Sequence, residues 1–162
     1  MRTDNISAAA AHRERSGRSA SASPYDALRL ENQLCFPLYA CSREVIKRYK
    51  PLLDPLGLTY TQYITMMVVW ELRSVTVKEL GNRLFLDSGT LTPLLKKLEA
   101  KGLLVRRRDP RDERSLVVTV TAAGEALREQ AVRVPCQMAG QVRLTEEESR
   151  TLYALLYKLL AE

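Results

Sequence analysis

The chain has 162 residues, 46% of them hydrophobic and 27% charged, with 25 Lys and Arg against 19 Asp and Glu for a formal net charge of +6. That composition belongs to a globular protein of one domain rather than to a disordered or fibrous chain, and no apolar run approaches the roughly 20 residues of a membrane span. Three cysteines are too few and too odd in number for a secreted disulfide scaffold, and no signal-peptide pattern opens the chain, so reducing cytoplasm is the expected compartment.

Residues 1–24 are rich in Ala, Ser and Arg, with Ile6 as the single large aliphatic residue, and predict a flexible tail. From Asp26 to Lys50, Leu34, Leu38, Cys41 and Val45 follow helical spacing, with Leu28, Cys35, Tyr39 and Ile46 in a second row. Pro37 predicts a kink or a helix start near Cys35. Pro51, Pro55 and Gly57 predict a break, and Thr61 a cap for a second helix through Leu72. Thr76 predicts a cap for a short helix to about Leu84. After a loop of Phe85 and Leu86, Asp87 or Ser88 caps another helix that ends at Lys101 with Gly102 as its stop.

Two short helices with a tight connection form a helix-turn-helix pattern. The β-rich runs Leu104 to Arg108 and Ser115 to Val120, parted by the polar turn DPRDER, add a hairpin, and the whole predicts a winged helix. Thr121 predicts a cap for a helix through about Val134, disturbed by Pro135. Thr145 and Glu148 predict a capping box for a last helix, whose Leu152, Leu155, Leu156, Leu159 and Leu160 make an apolar stripe. Fold class is therefore mainly α with a small β-wing.

The net charge is concentrated between Ser88 and Arg114, where eight cations face four anions. In a DNA-binding reading, the helix from Ser88 to Lys101 enters a major groove, its backbone amides facing a phosphate. Asp87, Ser88, Gly89, Thr90 and Thr92 at its start are small or polar and permit close approach. Lys96 and Lys97 would meet phosphates, and Arg111 and Arg114 on the hairpin would reach a minor groove. A solvated basic surface is the competing reading. His12, the single histidine, lies in the tail, so no metal site and no cofactor is expected.

Two longer motifs resemble a known family. LFLDSGTLTPLLKKLEAKGL, beginning at Leu84, and LENQLCFPLYA, from Leu30 to Ala40, are similar to segments of the organic hydroperoxide resistance regulators (OhrR). DERS, from Asp112 to Ser115, resembles the wing signature of the larger multiple-antibiotic-resistance regulator (MarR) family. The resemblance implies that Asp112 pairs locally to hold the wing while Arg114 enters the minor groove. It also implies that Cys35 is the peroxide sensor, assisted by Tyr39 and by Tyr49 and Tyr60 of the partner subunit. A thiolate is the nucleophile toward an O–O bond, and phenols supply hydrogen-bond donors beside an apolar surface; the products are a sulfenic acid and an alcohol. Spacing alone places Tyr39 on the helical face of Cys35.

Cys41, about 9 Å further along a helix and on another face, is expected in the core. The resemblance makes Cys136 the candidate resolving cysteine, with a small cellular thiol as the alternative. The expected organisation is a tail (1–24), an N-terminal dimerisation and sensor helix (25–58), a winged helix-turn-helix domain (59–120) and C-terminal dimerisation helices (121–162). The expected function is a homodimeric repressor that releases double-stranded DNA at a pseudo-palindromic operator when an organic hydroperoxide oxidises Cys35, with no membrane partner. A MarR-type regulator sensing a phenolic or apolar ligand is one rival. A thiol peroxidase is the other, disfavoured by the basic stretch.

Overall fold

The computed structural model describes residues 23–110 and 112–161, and its contacts divide the chain at Lys47 and Arg48 into two compact units. The tail expected over 1–24 lies outside the described residues, save its last two. The first unit begins with 3-10 turns at Asp26–Leu28 and Leu30–Asn32. The Asn32 side-chain Nδ2 donates to the Asp26 carbonyl at 2.8 Å and the Gln33 side-chain Nε2 to that of Ala27. The regular helix therefore does not start at Asp26. It starts at Cys35 and runs to Leu53 as α1. Pro37 falls at its third position, where a missing N–H removes no intrahelical bond. Pro51, expected to break the chain, lies inside the last turn of α1, where its fixed φ suits the helix and one bond is lost.

In the second unit a 3-10 turn at Asp54–Leu56 and the left-handed Gly57, φ 64°, lead into α2, Tyr60–Leu72. Its cap is Thr59 rather than Thr61. The Thr59 hydroxyl accepts the Gln62 amide at 3.3 Å, and the Gln62 side chain accepts the Thr59 amide at 3.2 Å, a reciprocal box that serves two otherwise orphaned donors. A three-residue strand that periodicity does not reveal, β1 (Ser74–Thr76), precedes α3 (Val77–Leu84) and α4 (Ser88–Ala100). The hairpin is β2 (Leu104–Asp109) with β3 (Asp112–Val120), longer than expected, and the sheet order is β1-β3-β2, all antiparallel. Val75 lies opposite Val118, and both are buried.

The helix expected to reach Val134 is two helices, α5 (Ala122–Ala131) and α6 (Val134–Ala139). Pro135 starts the second at a position where no N–H is needed. The last helix, α7, is Glu146–Leu160 with the Thr145–Glu148 capping box in place.

The core gathers Leu53, Met66, Val69, Leu80, Leu91, Leu95, Leu98, Leu104 and Val118, each at most 1% exposed and each contributing about 1.5–3 kcal/mol by burial. Trp70 Nε1 donates to the Gly124 carbonyl at 2.8 Å inside it. Gly124 admits nothing larger: a Cβ there would lie 2.1 Å from the Leu103 carbonyl oxygen. Arg73 pairs with Glu125, fastening the entry to β1 onto α5. By contrast, α7 buries no residue; Leu155 is 55% and Leu159 60% exposed. Cys41, expected in the core, is exposed, because the turns of α1 before Tyr49 bury no side chain.

Candidate nucleic-acid interface and thiol site

The turn between α3 and α4 is set by backbone. Phe85 takes the left-handed conformation at φ 53°, and the Leu86 amide returns to the Gly81 carbonyl at 3.0 Å. A Cβ on Gly81 would stand 2.8 Å from the Leu86 carbonyl oxygen, so only glycine lets the helices approach this closely.

Within α4, Leu91, Leu94, Leu95 and Leu98 are buried while Ser88, Gly89, Thr90, Thr92, Lys96 and Lys97 are exposed. The helix thus has one face in the core and one of small, hydroxyl and cationic groups outside. Asp87 caps it: Oδ1 accepts the Thr90 amide at 2.8 Å and Oδ2 the Thr90 hydroxyl at 3.1 Å. These bonds, the amide first, hold the Asp87 carboxyl below its usual range. The expectation that the helix's amides face a phosphate is corrected here for Thr90, whose amide is spent on a carboxylate. Thr92 turns its hydroxyl back to the Ser88 carbonyl at 2.7 Å.

The basic stretch is less outward than its count implies. Arg106 Nε and Nη2 both donate to Glu99 Oε2, at 2.9 and 2.6 Å, and the Arg106 amide donates to Oε1 at 2.9 Å. The guanidinium and then the amide hold Glu99 below its usual range. Lys101 donates to the Gly57 carbonyl and, at 3.0 Å, to Gln62 Oε1. Arg106 and Lys101 of the stretch therefore act inside the domain. Neither pairing was evident from periodicity, although Glu99 and Arg106 flank the Gly102 turn.

At the wing, Asp112 Oδ2 accepts the Ser115 hydroxyl at 2.7 Å and Oδ1 the Arg114 amide at 3.1 Å. These two contacts, the hydroxyl first, depress the Asp112 carboxyl. Asp112 thus pairs locally, and the Arg114 side chain is exposed. Arg111 lies outside the described residues, as does His12.

Cys35 occupies the first position of α1, where the peptide dipoles present their positive end, and it is exposed. Tyr39 follows one turn later on the same face. Arg43, a residue not anticipated from the sequence, donates to the Tyr39 hydroxyl at 2.9 Å, its guanidinium carbon 5.6 Å from the ring centroid; its i+4 spacing was the available signal.

In the second unit Tyr49 and Tyr60 pack with centroids 4.8 Å apart, and Tyr63, also unanticipated, lies 6.1 Å from Tyr49. Burial raises the hydroxyl pKa of all three. Cys136 is exposed on α6. Among the described residues no cluster of His, Cys, Asp and Glu could hold a metal ion, and no helix is long and apolar enough to cross a membrane.

A family model described as transcriptional regulator SarA/Rot matches residues 47–130. The organic hydroperoxide resistance transcriptional regulator of Bacillus subtilis (strain 168) is 48% identical over 136 residues, covering 84% of this chain and 92% of that protein. Among solved structures, reduced AbfR of Staphylococcus epidermidis bound to DNA superposes with a TM-score of 0.70 at 33% identity, covering 85% of this chain and 96% of that one. Its disulfide form gives 0.60 at the same 33% identity, covering 84% and 96%. A cysteine-to-serine mutant of MarR from E. coli, complexed with operator DNA, gives 0.71 at 26% identity, covering 86% and 100%.

Proposed function

The chain belongs to the SarA/Rot family of transcriptional regulators and to the organic hydroperoxide resistance regulators of MarR type, and on that footing we propose that it is a repressor released from its operator by oxidation of Cys35. It is a regulator and not an enzyme, as its relatives are, and it binds DNA. The observation that carries the redox reading is the exposed Cys35 at the head of α1 with the Tyr39 hydroxyl one turn away.

The Cys35 thiolate attacks the terminal oxygen of an organic hydroperoxide. An S–O bond forms as the O–O bond breaks, sulfur gives up two electrons, and the departing alkoxide takes a proton from solvent to become an alcohol. Tyr49 and Tyr60 of a partner subunit supply further O–H donors. The apolar stripe of α7 and the exposed face of α1 pair two copies, making a homodimer of residues 25–58 and 121–162 that carries two winged helices, residues 59–120. Operator half-sites then lie about 10 bp apart, one helical turn. On DNA, Ser88, Gly89, Thr90 and Thr92 approach base edges, with Asp87 holding the helix start. Lys96 and Lys97 meet phosphates, and Arg114, with Arg111 beside it, enters the minor groove. Cys136 of the partner resolves the sulfenic acid, a reading supported by the disulfide form of the AbfR relative.

The test is a gel shift on the DNA upstream of the protein's own reading frame, with and without cumene hydroperoxide. Wild type should bind and release. Cys35→Ser should bind and stay bound, because a serine hydroxyl cannot be oxidised in this way; release of that variant at wild-type doses sinks the sensing reading.

A further inference from the structure

The geometry points to Arg43 as a positioning residue for peroxide attack, one that orients the Tyr39 hydroxyl toward Cys35. This rests on the sensing reading above and adds a residue to it. Cys35, Tyr39 and Arg43 stand at i, i+4 and i+8 of α1 and so share one face. Helical side chains lean toward the N-terminus. The Tyr39 ring therefore covers the turn that carries Cys35, and Arg43 covers the turn that carries Tyr39. The second of these is seen directly: the Arg43 guanidinium reaches the Tyr39 oxygen at 2.9 Å and lies 5.6 Å from the ring centroid.

The consequence follows from counting donors and acceptors. A phenol has one O–H and accepts through its oxygen lone pairs. Arg43 has N–H groups and no acceptor, so it takes a lone pair of Tyr39 and turns the phenol's proton away from itself. The remaining direction on this face is toward the N-terminal turn, where Cys35 sits. A cation bonded to the oxygen also strengthens the O–H as a donor to a third group. When the Cys35 sulfur takes the terminal peroxide oxygen and the O–O bond breaks, negative charge builds on the departing alkoxide oxygen. An O–H already aimed there stabilises that charge without reorganising. The proton that completes the alcohol still comes from solvent, and the sulfur remains the two-electron donor. Arg43 touches neither peroxide nor sulfur; it acts through Tyr39.

The experiment uses the full chain with Cys41→Ser and Cys136→Ser, leaving Cys35 as the single thiol, and follows loss of that thiol with cumene hydroperoxide under excess peroxide. Arg43→Gln should slow oxidation roughly fivefold or more, and Arg43→Lys, which keeps a cationic donor, should recover most of the rate. In a Tyr39→Phe background Arg43→Gln should change nothing further, since the acceptor oxygen is gone. Reduced Arg43→Gln should bind operator DNA as the parent does. If it does not, Arg43→Met, which keeps an apolar stem, takes its place in the cycle. An unchanged rate in Arg43→Gln, or equal slowing with and without the Tyr39 hydroxyl, overturns the role of Arg43 while leaving Cys35 as sensor. A parent whose thiol survives the peroxide overturns both.

Discussion

Glu99, near the end of α4, takes both Nε and Nη2 of Arg106 on one carboxylate oxygen, at 2.9 and 2.6 Å, and the Arg106 amide on the other. Helix and first wing strand are thereby clamped by a single side chain. Glu99→Gln should keep the fold and weaken operator binding by roughly three- to tenfold, because the wing loses its fixed offset from the helix. Arg106→Lys should do the same, since an ammonium cannot reproduce the fork. Fluorescence anisotropy with labelled operator measures this, and an unchanged Kd would mean that the clamp does not govern wing placement.

The proposed function divides the exposed cations into two kinds of contact. Arg114→Ala should cost about 1–3 kcal/mol of operator affinity if its guanidinium fills a minor groove. Lys96→Ala or Lys97→Ala should instead lower the slope of log K against log salt by about 0.9 each. Titrations at several salt concentrations separate the two, and a slope unaltered in both lysine variants would place those ammonium groups away from DNA.

On the proposed mechanism, Cys136 distinguishes two fates of the Cys35 sulfenic acid. After peroxide, wild type should run as a covalent dimer on a non-reducing gel; Cys136→Ser should abolish that band, and Cys41→Ser should leave it. A band that survives Cys136→Ser, or a wild-type monomer carrying the mass of a small thiol, assigns resolution elsewhere.

Packing at Gly124 predicts a stability effect far from the thiol. Gly124→Ala would set its Cβ 2.1 Å from the Leu103 carbonyl oxygen and 2.9 Å from Val120 Cγ2, and should destabilise the fold by about 1–3 kcal/mol. Trp70→Phe, which removes the donor to the Gly124 carbonyl, should cost about 1–3 kcal/mol. Urea unfolding curves give both values; a Gly124→Ala midpoint equal to wild type would show that α5 shifts freely against Leu103.

Acid should loosen the caps and pairings of the DNA-binding region and, through Glu148, the cap of α7 as well. Asp87, Glu99 and Asp112 are all held below their usual range, by Thr90, Arg106 and Ser115 respectively. Each binds a proton more readily unfolded than folded, so its contribution is complete above the ordinary carboxylate range and is lost as pH falls through the depressed folded value. The stability gap between wild type and Asp112→Asn should be constant above about pH 5 and close at lower pH. A gap that persists down to about pH 2 would show that the Asp112 charge is not what holds the turn.

The caps Thr76, Thr121 and Thr145 are legible in the sequence, and Asp87 as one of two candidates beside Ser88, because a cap is a local device, an oxygen three residues from the amide it accepts. The helix α4 and the hairpin of β2 and β3 are legible through periodicity and turn chemistry, and Tyr39 through its i+4 offset from Cys35. Thr59 was obscured by Thr61, two residues on, because the Gln62 partner that decides between them reads as an ordinary polar residue. β1 is too short for alternation to register and exists because β3 offers it a ladder. Lys101 and Arg106 count as DNA-facing charge in a linear tally, yet the fold turns one toward the Gly57 loop and the other onto Glu99. Net charge is a sum over side chains, and their directions are settled only by tertiary packing.

Trp70 is the single tryptophan of the chain, 6% exposed, with its indole N–H fixed on the Gly124 carbonyl. Its emission therefore originates from one environment, where α2 meets the start of α5. Any opening that separates these elements would admit water to the indole and move the emission to longer wavelength, with no competing fluorophore of its kind to dilute the change. The molecule thus carries its own optical gauge of the joint between the DNA-binding domain and the helices that follow it.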